Sequence, residues 1–140
     1  MNGRTAKIDA VLAEARRGLP PRPTAAELPL LLSRRALVVD IRPTEQRLHD
    51  GELAGAIVID RNVLEWRLDP TSPHRIPEAT DSALEIVLVC NEGYASSLAA
   101  ASLQRLGLRG ATDLDGGFQA VLSANATLLD ESAVAPPPEP

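Results

Sequence analysis

One cysteine occupies the position in this chain where chemistry is most to be expected. Cys90 directly follows residues 85–89, a short apolar run that predicts a buried strand. A segment with helical spacing begins near Ser96. Because ligands of α/β proteins bind beyond the carboxyl ends of the strands, this position predicts a reactive thiol. The alternative is that Cys90 is only the buried last residue of its strand.

The connection between this strand and the next helix, residues 90–95, is short and contains Gly93. Such a loop must curl around its own centre, so we expect its backbone N–H groups to converge on the thiol. The N-terminus of the following helix adds to the positive potential there. Together they favour a thiolate or a bound anion. We also expect Ser96 or Ser97 to cap this helix and to donate a hydroxyl toward the sulfur.

Short apolar runs alternate with helical patterns along the chain. The runs predict four buried strands, at residues 36–40, 56–60, 85–89 and 111–114. The helical patterns fall at residues 4–17, 24–33, 44–49, 63–68 (with Asn62 as the cap), 96–106 and 117–124. This alternation predicts an α/β fold with a central parallel β-sheet and helices on both faces.

The composition excludes several classes of function. The chain has 140 residues, a formal net charge of -5 and only 2% aromatic residues, which argues against a nucleic-acid-binding surface. With one cysteine and two histidines we expect no metal site and no cofactor. The core must be mainly aliphatic, with Trp66 and Phe118 packed against it.

The distribution of apolar and charged residues also bears on location. No stretch of 18 apolar residues is present, and the first residues lack the apolar segment of a secretory signal, so we predict a cytoplasmic protein without a membrane span. Residues 1–35 carry seven basic and three acidic side chains, whereas the remainder is acidic. This asymmetry predicts that the N-terminal segment docks on an acidic body.

Five short motifs occur in an order and spacing that resemble a known family. They are Asp40-Ile-Arg42 after the first strand, Gly51-Glu-Leu-Ala-Gly-Ala56 before the second, Cys90-x-x-Gly-x-x-Ser96, Leu106-Gly107, and Asp115-Gly-Gly-Phe118. Over residues 24–122 the chain resembles the rhodanese-like sulfurtransferase domains. We therefore assign residues 24–124 to the rhodanese-like domain. Apolar spacing and proline content predict an N-terminal helix and Pro-rich linker at residues 1–23 and a flexible Pro-rich tail at residues 125–140.

The resemblance implies a sulfurtransferase that moves a sulfane sulfur through a persulfide on Cys90, the catalytic nucleophile. The substrate-binding loop would be Asn91, Glu92, Gly93, Tyr94, Ala95 and Ser96. Asp40 and Arg42 would have a structural role, with Arg42 also a candidate for steering anions. The implied partners are a small-molecule or protein-bound sulfur donor, such as thiosulfate or a persulfide, and a thiol or cyanide acceptor.

The loop departs from the family pattern in its charge. Many members that use thiosulfate carry a basic residue just after the cysteine and an arginine five positions after it. Here those positions are Asn91 and Ala95, and Glu92 adds a negative charge. Thiosulfate is a dianion, so we expect weak use of it, and a neutral or protein-bound persulfide donor is more plausible here than in a member with a basic loop.

Two other functions compete with sulfur transfer. A non-catalytic interaction or regulatory module would keep the same fold, although such domains often lack the cysteine that is present here. A related cysteine-dependent phosphatase needs an arginine six residues after the cysteine to bind phosphate oxygens. That position is Ser96, which disfavours a phosphatase.

Overall fold

The fold is built on a four-stranded parallel sheet with the strand order β2-β1-β3-β4. The structure is a computed structural model that describes residues 6–132, with side chains to residue 125. The strands are β1 (Leu37–Asp40), β2 (Ile57–Val58), β3 (Ile86–Val89) and β4 (Ala111–Asp113). The carboxyl ends of all four lie at one edge of the sheet, which is where the sequence predicts the site.

Helices cover both faces of the sheet, as predicted. They are α1 (Lys7–Arg17), α2 (Leu28–Ser33), α3 (Thr44–Asp50), α4 (Leu64–Leu68), α5 (Ala95–Arg105) and α6 (Gly117–Ser132), with single 3₁₀ turns (Ala25–Glu27 and Arg61–Val63) before α2 and α4. Successive strand side chains point to opposite faces, so the core divides into two clusters. Val39 and Leu88 pack with α4 and α5 on one face, whereas Val38 and Val87 pack with α2 and α6 on the other.

The second strand differs from its prediction. We expected a buried strand at residues 56–60, but β2 contains only two residues, and Val58 is 45% exposed. The reason is its position at the edge of the sheet, where it pairs with β1 alone. A short edge strand also limits the unpaired backbone that might bind another chain.

Several element boundaries and one side chain also differ from prediction. The helix α6 continues to Ser132 instead of ending near Ala124, so it includes the first residues assigned to the tail; residues 133–140 lie outside the described part. The 3₁₀ turn before α4 is capped by Asp60 and not by Asn62 as predicted; the carboxylate of Asp60 accepts the N–H of Asn62 at 2.7 Å. Trp66 is 57% exposed on the outer face of α4 instead of packing in the core.

A buried ion pair holds the end of β1. The guanidinium of Arg42 donates to both carboxylate oxygens of Asp40, with the shortest contact at 2.8 Å, and to the carbonyl of Gly51 at 2.9 Å. Neither side chain is exposed to solvent. The guanidinium also stacks 3.7 Å from the centre of the Phe118 ring. The pair therefore connects β1 to the loop before β2 and to α6.

Removing this arginine is expected to destabilise the fold strongly. The variant Arg42→Met leaves the carboxylate of Asp40 buried without its partner, which should lower the free energy of unfolding by about 3–5 kcal/mol. Urea denaturation measures the change. The matched control is Arg34→Met, because Arg34 pairs with Glu85 at the exposed surface and should contribute little. Equal losses in the two variants would contradict the structural role of Arg42.

Candidate active site

The sulfur of Cys90 lies between the end of β3 and the start of α5. Two backbone N–H groups of the loop donate to the sulfur, from Gly93 at 3.1 Å and from Ser96 at 3.3 Å. The residue is only 7% exposed, but it lines an open cavity. The loop therefore curls around the thiol as predicted, with two of its N–H groups aimed at the sulfur, an arrangement that stabilises a thiolate.

The first turn of α6 holds the carbonyl groups of the loop away from the sulfur. The N–H of Phe118 donates to the carbonyl of Cys90 at 2.8 Å, and the N–H of Gln119 donates to that of Asn91 at 3.0 Å. The side-chain amide of Gln119 also donates to the side-chain oxygen of Asn91. N–H groups in the first turn of a helix have no partner within the helix, so they are available for these contacts.

The centre of the loop requires a glycine at position 93. Gly93 has a φ of 89°, a conformation that side chains other than glycine rarely adopt. A Cβ atom built there would lie 2.8 Å from the backbone nitrogen of Gly116, just before α6. The loop therefore aims the Gly93 N–H at the sulfur while it lies directly against the backbone of the turn between β4 and α6.

Behind the sulfur, two serines connect the loop to a buried carboxylate. Ser96 Oγ donates to Asp113 Oδ2 at 2.7 Å and accepts from the thiol of Cys90 at 3.1 Å. Ser97 Oγ donates to the same carboxylate oxygen at 2.8 Å. The predicted helix cap is wrong: neither serine caps α5, because both lie inside its first turn and Tyr94 is the N-cap. Neither hydroxyl donates to the sulfur, since that of Ser96 accepts from the thiol. Their hydroxyls satisfy Asp113 instead.

The buried carboxylate is paired with an arginine from the N-terminal segment. Arg22 Nε donates to Asp113 Oδ1 at 2.8 Å, and Arg22 Nη2 donates to Oδ2 at 3.2 Å. Burial opposes the charge of the guanidinium, but the hydrogen bond and the charge of Asp113 outweigh it and raise the pKa of Arg22 above its ordinary value. The N-terminal segment thus docks on acidic residues, as its charge predicts.

The other predicted loop residues line the mouth of the site. Asn91 is half-buried, whereas Glu92, Tyr94 and Ala95 are exposed, with Tyr94 60% exposed. All four line a cavity of about 390 Å³ that also contains Cys90. Arg42 lines the same cavity, although its charge is matched by Asp40. Its role in steering anions stays a prediction.

A second cation at the cavity was not predicted. Arg61, in the 3₁₀ turn before α4, lines the cysteine cavity and an adjoining cavity of about 410 Å³. Its Nη1 donates to both carboxylate oxygens of Glu65, at 3.0 and 3.1 Å. Desolvation disfavours the charge of Glu65, but hydrogen bonds from Ser102, its own backbone and Arg61 hold the pKa of that carboxyl below its ordinary value. The carboxylate therefore stays ionised and keeps Arg61 in place.

The sequence comparison agrees with this architecture. Residues 24–124 match the family model of the rhodanese-like domain. The chain belongs to this family. No curated protein sequence matches the chain.

Solved structures with similar sequences have the same rhodanese-like fold. A protein of unknown function from Rhodopseudomonas palustris, described as a possible tyrosine phosphatase, is 30% identical, with a TM-score of 0.75 over 89% of this chain and 96% of its own. A human single-domain sulfurtransferase is 28% identical, with a TM-score of 0.63 over 74% of this chain and 96% of its own. A rhodanese homologue from Thermus thermophilus is 29% identical, with a TM-score of 0.52 over 72% and 100%.

Several charged residues of this rhodanese-like site were not identified from the sequence, among them Asp113, Arg61 and Arg22. Asp113 is the last residue of β4, and a carboxylate near the carboxyl end of a predicted buried strand could have indicated a role at that edge. Arg61 and Arg22 have no comparable signal. Their positions depend on how a 3₁₀ turn and a Pro-rich linker pack in three dimensions.

Two wider properties follow from the described residues. Between residues 6 and 132, no helix is long and apolar enough to cross a membrane. Within that same part of the rhodanese-like chain, no group of three or more histidine, cysteine, aspartate or glutamate side chains is arranged to bind a metal ion.

A methyl group on Gly93 should disrupt the sulfur site more than the fold. Gly93→Ala adds a contact of 2.8 Å to an already strained conformation, so we expect the alkylation of Cys90 to slow severalfold or more. The matched control is Gly107→Ala, because Gly107 has a φ of 87° but no atom within 4 Å of the added Cβ.

The control variant should lose only about 1–2 kcal/mol of stability, the cost of the left-handed conformation. Its alkylation rate should equal that of the parent. Rates measured with iodoacetamide, beside urea unfolding curves, separate the two effects. Wild-type alkylation in a folded Gly93→Ala variant would show that the Gly93 N–H contact does not control the thiol.

Proposed function

We propose that the protein is a sulfurtransferase that carries a sulfane sulfur as a persulfide on Cys90. The observation that carries this proposal is the contact of the sulfur with the N–H groups of Gly93 and Ser96, at the base of an open cavity. Backbone N–H groups that surround a sulfur stabilise a negative charge there without requiring a catalytic base. A thiolate and a persulfide anion both carry a negative charge on sulfur that needs this stabilisation.

The reaction consists of two displacements at sulfur. The Cys90 thiolate attacks the outer sulfur of the donor; a new S–S bond forms, the S–S bond of the donor breaks, and its electron pair leaves with sulfite when thiosulfate is the donor. A thiolate or cyanide acceptor then attacks the terminal sulfur of the persulfide. That bond breaks with its electron pair on Cys90 Sγ, which restores the thiolate.

The cavity has features that suit each displacement. Cys90 lines a cavity of about 390 Å³ together with Tyr94 and Ala95, so a terminal sulfur atom and an incoming acceptor have room there. Arg61 brings a guanidinium to this cavity, whereas the loop itself has only the negative side chain of Glu92. Glu65 pairs with Nη1 of Arg61, but the Arg61 side chain is 42% exposed and so stays accessible to a donor, unlike that of Arg42. An anionic donor therefore has one favourable partner at the mouth, which makes thiosulfate a more suitable donor than the loop sequence indicates.

A phosphatase function has weaker support. The Rhodopseudomonas protein is described as a possible tyrosine phosphatase, but here Ser96 stands six residues after the cysteine and binds the carboxylate of Asp113. Phosphate-ester chemistry needs a guanidinium at this point of the loop to bind three oxygens. The Ser96 hydroxyl carries no charge and is bonded to Asp113, so it provides none of this binding.

Persulfide formation is the direct test of the proposal. After incubation with thiosulfate or an organic polysulfide, the intact mass should rise by one sulfur atom and return to its original value on addition of cyanide or a thiol. The variant Cys90→Ser is the control and should gain no mass. If no donor produces the adduct, or if the adduct also forms on Cys90→Ser, the alternative of a non-catalytic module is favoured.

The contribution of Arg61 can be tested separately. Arg61→Gln should lower kcat/KM for thiosulfate by about tenfold, the effect of one lost charge-assisted hydrogen bond. Its kcat/KM for a neutral organic trisulfide should stay nearly constant.

The matched control for Arg61 is Arg105→Gln. It removes the same charge from the C-terminal end of α5, whereas the cysteine loop is at the N-terminal end of that helix. Its kinetics with both donors should resemble those of the parent. Equal thiosulfate kinetics in parent and Arg61→Gln would show that Arg61 does not bind the donor.

A further inference from the structure

The first residues of the described chain reach the sulfur loop from outside the rhodanese-like domain. The family match begins at residue 24, whereas α1 and the Pro-rich linker precede it. Helix α1 lies against α5, yet none of its residues is buried. Burial of apolar surface is therefore a weak reason for its position, and its specific contacts lie at the loop.

Two arginines of this segment bind the same carbonyl oxygen. Arg16 Nη2 donates to the carbonyl of Gly93 at 2.7 Å, and Arg22 Nη2 donates to it at 3.1 Å. Arg16 Nε also donates to Ser97 Oγ at 3.0 Å, at the first turn of α5. Charge-assisted hydrogen bonds are about twice as strong as neutral ones, so a carbonyl held by two guanidinium groups has little freedom to turn.

The orientation of this carbonyl is linked to that of the Gly93 N–H. The two groups belong to neighbouring peptide units, which are connected through the φ and ψ angles of Gly93. Gly93 donates its N–H to Cys90 Sγ, while its carbonyl points to the arginines on the other side of the loop. Gly93 has a φ of 89°, and a glycine adopts other conformations as readily as this one. Contacts on its carbonyl therefore favour this conformation over others that would withdraw the N–H from the sulfur.

Arg22 also balances the negative charge that lies behind the sulfur. A serine hydroxyl has one proton, and Ser96 donates it to Asp113, so its lone pair faces the thiol. When Cys90 becomes an anion, that proton can turn to the sulfur only if Asp113 retains other donors. Arg22 and Ser97 are those donors.

We propose that Arg16 and Arg22 are positioning residues for the nucleophile, so that the segment before the rhodanese-like domain is part of the active site. They hold the carbonyl of Gly93, and with it the backbone conformation of that residue, and they neutralise Asp113; both effects keep Cys90 reactive. Asn91 and Ala95 provide no positive charge within the loop. The two arginines of the N-terminal segment provide it instead, at the Gly93 carbonyl and at Asp113. The catalytic part of this inference depends on the sulfur-transfer function proposed above, whereas the effect on thiol reactivity does not.

The test compares full-length variants that remove one charge each. Arg22→Gln should slow the alkylation of Cys90 by iodoacetamide at pH 7 about tenfold and move the pH profile of the rate to higher pH. Arg16→Gln should slow it to a smaller degree, because it loses contacts only to Gly93 and Ser97. The conservative variant Arg22→Lys should restore part of the rate, since it keeps the charge near Asp113.

The matched control is Arg17→Gln, which removes the neighbouring charge on α1. Arg17 pairs with Glu14 at the surface and has no contact with the loop among the described hydrogen bonds, so its profile should equal that of the parent. The charged side chains that face Cys90 from the surrounding elements are Glu92 in the loop, Asp113 of β4, Arg42 after β1 and Arg61 before α4. All four are unchanged in every variant, so a shift in the profile reports the arginine that was removed.

Unfolding curves recorded beside the rates separate positioning from stability. Arg16→Gln keeps the buried ion pair of Arg22 and Asp113, so it provides a folded variant even if Arg22→Gln is unstable. Slower alkylation in folded Arg16→Gln or Arg22→Gln, with a normal Arg17→Gln, supports the proposal. Parent-like alkylation profiles in both folded variants would overturn it and leave the segment a structural cover for α5.

Failure of this inference can be distinguished from failure of the sulfur-transfer function. If the parent forms no persulfide but the two variants alkylate slowly, positioning stands and sulfur transfer fails. If the parent and both variants form persulfide and alkylate at equal rates, sulfur transfer stands and positioning fails. When both stand, Arg22→Gln should lower kcat for sulfur transfer more than it raises KM, because it acts on the nucleophile and not on the donor.

Discussion

The sulfur loop keeps the conformation that aims N–H groups at Cys90 because carbonyl oxygens along it are bonded to groups outside the loop. A buried carbonyl needs a hydrogen-bond donor, so the loop can hold this conformation only where its surroundings supply donors to the carbonyls that point away from the sulfur. The first turn of α6 binds the carbonyls of Cys90 and Asn91, and two arginines bind that of Gly93. Most of what surrounds the loop contributes to this one requirement.

Buried ion pairs flank the cysteine strand on both sides. In the strand order β2-β1-β3-β4, the neighbours of β3 are β1, which ends in Asp40, and β4, which ends in Asp113. Each carboxylate is fully buried, and each is paired with an arginine, Arg42 or Arg22. A buried pair of this kind contributes little net stability but fixes geometry, because losing either partner leaves an uncompensated charge. Together they hold the strand ends next to Cys90 in register with the loop.

The positive charge of the site comes from outside the cysteine loop. In front of the sulfur, Arg61 is held by Glu65 in the turn before α4. Behind it, Arg16 and Arg22 reach the loop from the N-terminal segment. The acidic side chain of Glu92 lies in the exposed mouth, where water screens its charge, whereas the Arg22 and Asp113 pair lies mostly below the surface. The electrostatics of this loop therefore cannot be judged from residues 90–96 alone.

The sequence by itself determined the α/β fold, the position of the thiol at a strand end and the need for a short loop with Gly93. These features are local, because periodicity predicts strands and helices and a short connection between two of them has few conformations. The same local patterns missed how short β2 is, since its edge position depends on the strand order and not on its own residues. They also missed the end of α6, which no glycine or proline interrupts between residues 118 and 132. Only the tertiary structure decided which charges meet at the sulfur. Arg22 lies 91 residues from Asp113 in the chain, and a contact over that separation depends on the packing of the whole fold.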